Sequence, residues 1–170
     1  MKWLPFTILA VIVVVFQTTL VPQALAIRSV WPEWTFILAV HYALWGPWPE
    51  AAIAAWLLGL SVDLFTADGA PVHAFGYGAA AWAIIRVRQV LFRDHPLTYM
   101  VVTFAFAIGV QLLVGFYRAW RFAGPDEGGG IWGPALAVAV YTALWALPFQ
   151  WVLLRMRRWT GLGPRRRLAT

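Results

Sequence analysis

The stretch Glu50–Tyr77, EAAIAAWLLGLSVDLFTADGAPVHAFGY, decides how the rest of the chain is read. Its first half is an apolar helical run with small residues at i, i+4 spacing, Ala51, Ala55 and Gly59, and Asp63 follows on the same face. Small residues let a second backbone approach closely inside a membrane, and an ionisable group at that depth needs a partner or water. The run then breaks at Thr66-Ala-Asp-Gly-Ala-Pro71 and returns to apolar sequence through His73, Phe75, Gly76 and Tyr77. Asp and Gly tolerate positive φ and Pro suits the start of a helix, so the pattern predicts two helices, about 50–65 and 72–85, joined as a hairpin.

The flanking sequence is of the same kind. Of 170 residues 62% are hydrophobic and 12% charged, and the mean hydropathy is +0.71, which sets the chain apart from an ordinary soluble domain. An all-α polytopic membrane protein is therefore expected, with a single transmembrane domain over residues 1–160 and a basic, disordered tail over 161–170. There is no cysteine, which removes disulfides and thiolate metal sites, while twelve tryptophans suit interfacial belts.

Further segments are expected at about Trp3–Val21, Trp34–Trp45, Leu97–Tyr117 and Ile131–Leu154, the last interrupted by Pro148. The first has 17 to 19 residues, longer than the roughly 7–15 of a signal-peptide core, and fits a spanning helix. Gln17 near its end reads as a headgroup-level residue. Trp34–Trp45 is too short to cross a bilayer unaided and must borrow its flanks or dip part way. His41 within it reads as hydrogen-bonded to a neighbouring helix. Gln111 lies with Ala107 and Gly115 on one i, i+4 face, and Arg118–Gly130 is read as a polar connection.

With six segments and both termini cytoplasmic, ten Lys and Arg fall inside and three outside, as the positive-inside rule requires. Arg86, Arg88, Arg93, Arg155, Arg157 and Arg158 then act as topology determinants at the headgroup level. Basic residues at segment ends, without an aromatic-interleaved surface, argue against nucleic acid as a partner. Asp63, Asp68, His73, His41 and Glu33 are the available acid–base groups, and no nucleophile triad, zinc motif or phosphate loop accompanies them. No enzyme, cofactor or metal site is expected. Asp63 sits in the last turn of its helix, where the dipole disfavours a carboxylate. Backbone N–H groups of the Thr66–Gly69 turn are the expected partners, a structural use that competes with a role in binding.

Several short patterns resemble the rod shape-determining MreD family: Gln17-Thr-Thr-Leu20, then Gly59-Leu-Ser-Val-Asp63, Gly69-Ala-Pro71, His73-Ala-Phe-Gly-Tyr77 and the basic end Arg86-Val-Arg88. Where the family has Arg-Pro-Asp this chain reads Trp31-Pro32-Glu33, and His73 stands where the family often has a small or polar residue. The likeness extends over about residues 3–160. It implies a non-enzymatic component of the bacterial elongation machinery in the inner membrane, with the bitopic protein MreC as a helix-docking partner beside other elongation-complex proteins. It also implies a bundle similar to the substrate-binding subunits of energy-coupling-factor transporters, hence an alternative function as a vitamin-binding transporter subunit. Under either implication the residues of interest are Ala51, Ala55, Trp56, Gly59, Asp63, Gly69, His73, Tyr77 and Gln111, as a partner-helix groove or an outer pocket. The 51-55-59 stripe has a third use open to it, internal packing.

Overall fold

The computed structural model describes residues 2–66, 70–91, 95–122, 132–160 and 162, without the side chains of Phe122, Arg157 and Arg158. Asp68, Gly69, Arg93, most of the connection before Ile131 and the tail from Gly163 lie outside the described residues. Among the described residues every element is helical: α1 (Trp3–Thr19), α2 (Val21–Leu25), α3 (Trp34–Trp45), α4 (Glu50–Asp63), α5 (Val72–Val87), α6 (Pro96–Phe122), α7 (Trp132–Arg155) and α8 (Arg157–Thr160). α6 and α7 are long and apolar enough to cross a membrane, and α1 and α3 are shorter apolar helices.

The bundle is built around α3. Every residue from Thr35 to Leu44 is buried, which explains a helix that is apolar on all sides rather than along one stripe. α1, α4, α5, α6 and α7 all touch it, and α4 with α5, like α6 with α7, packs as an antiparallel pair. Phe36, Tyr77 and Phe106 meet in tilted and edge-on ring contacts at 5.1–5.7 Å, joining α3, α5 and α6 in the centre. Rings in this arrangement set the positive edge of one against the negative face of another. His41 sits among the rings of Tyr42 and Tyr99, at 5.9 and 6.3 Å.

The segment before α3 sets the depth at which this short helix begins. Residues 26–29 and Trp31 are exposed, but Pro32 is buried and Glu33 half-buried, so the end of the loop enters the bundle. Ile27 and Val30 exchange backbone hydrogen bonds across Arg28 and Ser29, both at positive φ, the two-residue turn in which left-handed backbone is required. The Glu33 N–H then donates to Thr142 Oγ1 on α7 at 2.9 Å. Thr142 lies ten residues into α7, so α3 begins about 15 Å below that helix end and runs about 18 Å further.

Two element boundaries differ from the reading of the sequence. α6 continues through Arg118, Trp120 and Arg121 to Phe122, because the onset of polar residues marks a change of surroundings and not a helix breaker. α7 runs unbroken through Pro148. The two ends of the bundle's chain meet, the Lys2 N–H facing the Thr160 carbonyl at 3.4 Å, so α1 starts on the side where α7 finishes.

Candidate functional site

The corner between α4 and α5 rests on Asp63. α5 opens after Pro71, which has no side-chain acceptor, so the first turn's N–H groups need one from elsewhere. Asp63 supplies it across the hairpin: Oδ1 accepts from the His73 N–H at 3.0 Å and Oδ2 from the Ala74 N–H at 2.8 Å. These are the second and third residues of α5, the positions a capping side chain normally serves. His73 Nδ1 lies 2.8 Å from Oδ1; a carboxylate only accepts, so this ring nitrogen carries the proton. Both side chains are 7% exposed. The carboxylate thus opposes the dipole of its own helix but faces the positive end of α5. The expected partners in the 66–69 turn are replaced, among the described residues, by α5.

One turn earlier, Gly59 lets the two helices touch. A Cβ there would lie 2.5 Å from the His73 carbonyl oxygen and 2.7 Å from Ala74 Cα. Ala51 and Ala55 are fully buried on the same side. Of the uses open to the small-residue stripe, the fold shows internal packing. Trp56 points elsewhere, half-exposed on the outer side of the hairpin against Gly78.

Above the deep start of α3 the bundle is hollow. A cavity of about 540 Å³ is lined by Gln17, Glu33, Thr35, His73, Gln111 and Arg118, with Trp31, Phe65 and several valines as apolar wall. Its floor carries a set of hydrogen bonds. Gln17 donates to the Pro32 carbonyl and accepts from the Trp34 N–H, at 3.1 and 2.8 Å, so it pins the re-entrant loop instead of facing headgroups. Gln111 Nε2 donates to Glu33 Oε1 at 2.7 Å. Thr35 Oγ1 and Tyr77 Oη share a hydrogen bond of 2.7 Å, which leaves Tyr77 fully buried behind the cavity wall. Tyr141 Oη donates to the Leu25 carbonyl at 2.9 Å and holds the loop's other end.

Of the residues singled out from sequence, the fold brings His73 and Gln111 into the cavity, sets Asp63 and Tyr77 one contact behind it, and leaves Ala51, Ala55, Gly59 and Trp56 elsewhere. Glu33, Thr35 and Arg118 are lining residues the sequence reading did not assign to a site. Their signal was indirect: a helix too short to span must start deep, and then the acid preceding it is deep as well.

At the opposite end, Arg88 Nη1 donates to the carbonyls of Ala43, at 3.0 Å, and Gly46, the last turn and cap of α3. This is the favourable place for a cation on a helix dipole. Arg86 lies over the Trp82 ring at 4.9 Å, and Arg155 is exposed at the end of α7. Among the described residues no cluster of His, Asp and Glu could hold a metal.

The family model of rod shape-determining protein MreD matches residues 1–155. The chain belongs to the MreD family. Comparison with curated proteins gives no match, and comparison with solved structures gives none. MreD membership places the chain among bacterial inner-membrane proteins that act in rod-shape determination as part of the rod-shape complex, a structural role and not that of a known enzyme family. The all-helical bundle with two membrane-length helices agrees with that setting.

Proposed function

We propose that this chain is a six-span, non-enzymatic scaffold with both termini cytoplasmic, which binds the single spanning helix of MreC and so supports lateral peptidoglycan synthesis. The observation that carries the reading is the MreD match over residues 1–155. The fold adds a surface suited to it. Because Ala51, Ala55 and Gly59 are spent within the bundle, a partner helix needs another small-residue face, and α5 has one. Phe75, Gly78, Ala79 and Trp82 stand at i, i+3, i+4 and i+7 on its outer side, and Phe75 and Trp82 are exposed. Small residues between aromatic flanks permit the close backbone approach on which helix association in lipid relies.

Gly78→Leu tests this without disturbing the core, since a Cβ at Gly78 meets only the Trp56 side chain, at 3.5 Å. In a tagged pull-down from membranes in mild detergent, wild-type protein should recover the bitopic partner and cell-wall synthases. The variant should recover about tenfold less partner at unchanged expression, a loss of about 1.4 kcal/mol. Recovery of ABC-type ATPases with a vitamin-sized ligand would overturn the scaffold reading. Equal partner recovery by the variant would remove α5 as the docking face.

A further inference from the structure

Asp63 holds the His73 ring by one edge, through Nδ1–H. His73 lines the cavity above α3 and Asp63 does not, so the opposite edge of the ring, with Nε2, is the one that faces the hollow. In a neutral imidazole whose Nδ1 carries the proton, Nε2 has a lone pair and accepts. Among the described residues no protein group takes it, although the side chain is only 7% exposed. A buried acceptor, aimed by a carboxylate and opening on a hollow, suits a ligand that donates.

Two hydroxyls of the same chamber are committed alike. Thr18 donates to the Val14 and Val15 carbonyls of its own helix, and Thr66 to the Asp63 carbonyl. Their protons are taken and their oxygen lone pairs remain. Acceptors thus come from the end of α1, from the turn after α4 and from the start of α5.

Charge narrows the ligand further. Glu33 accepts from Gln111 and interacts with Arg118, and Arg118 is itself engaged. Asp63 already receives three donors. Neither an anion nor a cation would meet an uncommitted counter-charge here, and a buried charge without one is costly. Trp31, Phe65 and valines complete the wall with apolar surface. The volume of about 540 Å³ falls within the roughly 300–1,000 Å³ of small-molecule sites.

We propose that the cavity binds a small neutral molecule of the polyol or monosaccharide class, one hydroxyl donating to His73 Nε2, others to Thr18 and Thr66, with C–H faces against Trp31 and Phe65. Asp63 is a positioning residue: it keeps the ring in the tautomer that accepts. A site built to pair with hydroxyls rejects analogues lacking them far better than an apolar pocket of equal size. The chamber is separate from the α5 face assigned to the partner helix and its occupancy needs no ATPase, so either reading can fail without the other.

The test is nitrogen-15 NMR of the full chain in detergent, labelled at its three histidines, His41, His73 and His95. Loss of signals in His73→Gln identifies those of His73. The free protein should show His73 as the neutral Nδ1–H tautomer. Titration with myo-inositol or glucose should move its Nε2 resonance saturably and leave His95 unmoved, with choline and acetate binding about tenfold more weakly or less. Tryptophan fluorescence, with Trp31 in the cavity wall, follows affinity in the variants. His73→Gln should weaken polyol binding about tenfold, and Thr18→Val, which leaves the Asp63 corner untouched, about threefold or more. An imidazolium or an Nε2–H tautomer in the free protein, an Nε2 resonance that neither polyol moves, choline or acetate binding as tightly as the polyols, or wild-type affinity in either variant would each overturn the proposal.

Discussion

Asp63 receives three donors, the N–H groups of His73 and Ala74 and the ring Nδ1–H of His73. Asp63→Asn replaces one accepting oxygen by an NH₂ group, setting donor against donor in a site that is closed to water. We expect a loss of about 2 kcal/mol, the usual effect of leaving a buried charge-assisted hydrogen bond unmade, read as a lower melting midpoint by tryptophan fluorescence in detergent. Gly59 and Gly109 offer a matched pair of substitutions. At Gly59 an added methyl meets backbone, which cannot give way, so Gly59→Ala should destabilise by about 1–3 kcal/mol. At Gly109 nothing lies within 4 Å, so Gly109→Ala should be neutral or stabilising by up to about 1 kcal/mol in the same assay. The importance of Asp63 and of close contact at Gly59 was legible in the sequence, because a carboxylate and a glycine on one apolar helix face are both costly unless each meets a neighbour that needs it. The identity of the carboxylate's partners was not: they lie ten and eleven residues along, and local spacing favours the nearer turn.

At the scale of the element, Arg88 separates two meanings of a basic residue at a helix end. Topology depends on charge alone, so Lys would serve as well as Arg. Capping α3 depends on reach, since the terminal Nη1 of the longer guanidinium side chain donates to both the Ala43 and Gly46 carbonyls, and the shorter Lys places its ammonium less far along. Arg88→Lys should therefore keep the orientation of the chain and lose about 1 kcal/mol of stability, with Arg88→Ala losing more, as measured by thermal melts beside a labelling assay for orientation. Helix existence was readable from apolar runs, and α1, α3, α4 and α5 begin or end within a few residues of where periodicity and turn residues put them. The end of α6 was not, because hydropathy reports where a membrane surface lies and a helix continues past that surface until Gly or Pro stops it. Nor did Trp34–Trp45 announce itself as the core, since an all-apolar dozen is equally a fragment of a span until its neighbours are known.

For the whole molecule the open quantity is orientation, and the native absence of cysteine makes it directly measurable. Ala26→Cys, in the exposed loop after α2, should react with an impermeant maleimide in intact cells. Gln89→Cys, exposed beyond α5, should react only after the membrane is opened, as ten inward and three outward basic residues require. The reverse pattern would invert the bundle and place the cavity on the cytoplasmic side. The cavity itself was beyond the reach of the sequence, because it is a by-product of register: it exists where α3 starts deep, and that depth is set by Gln17, Thr142 and Gln111, three polar residues on three different helices. The central position of α3 also carries a consequence for biogenesis. It is made before α4, α5, α6 and α7, yet most of its contacts come from those helices. At about 18 Å it is too short to settle across the bilayer by itself. During synthesis the innermost helix must wait, sheltered by the insertion machinery or held at the interface, until α7 emerges and closes the wall around it.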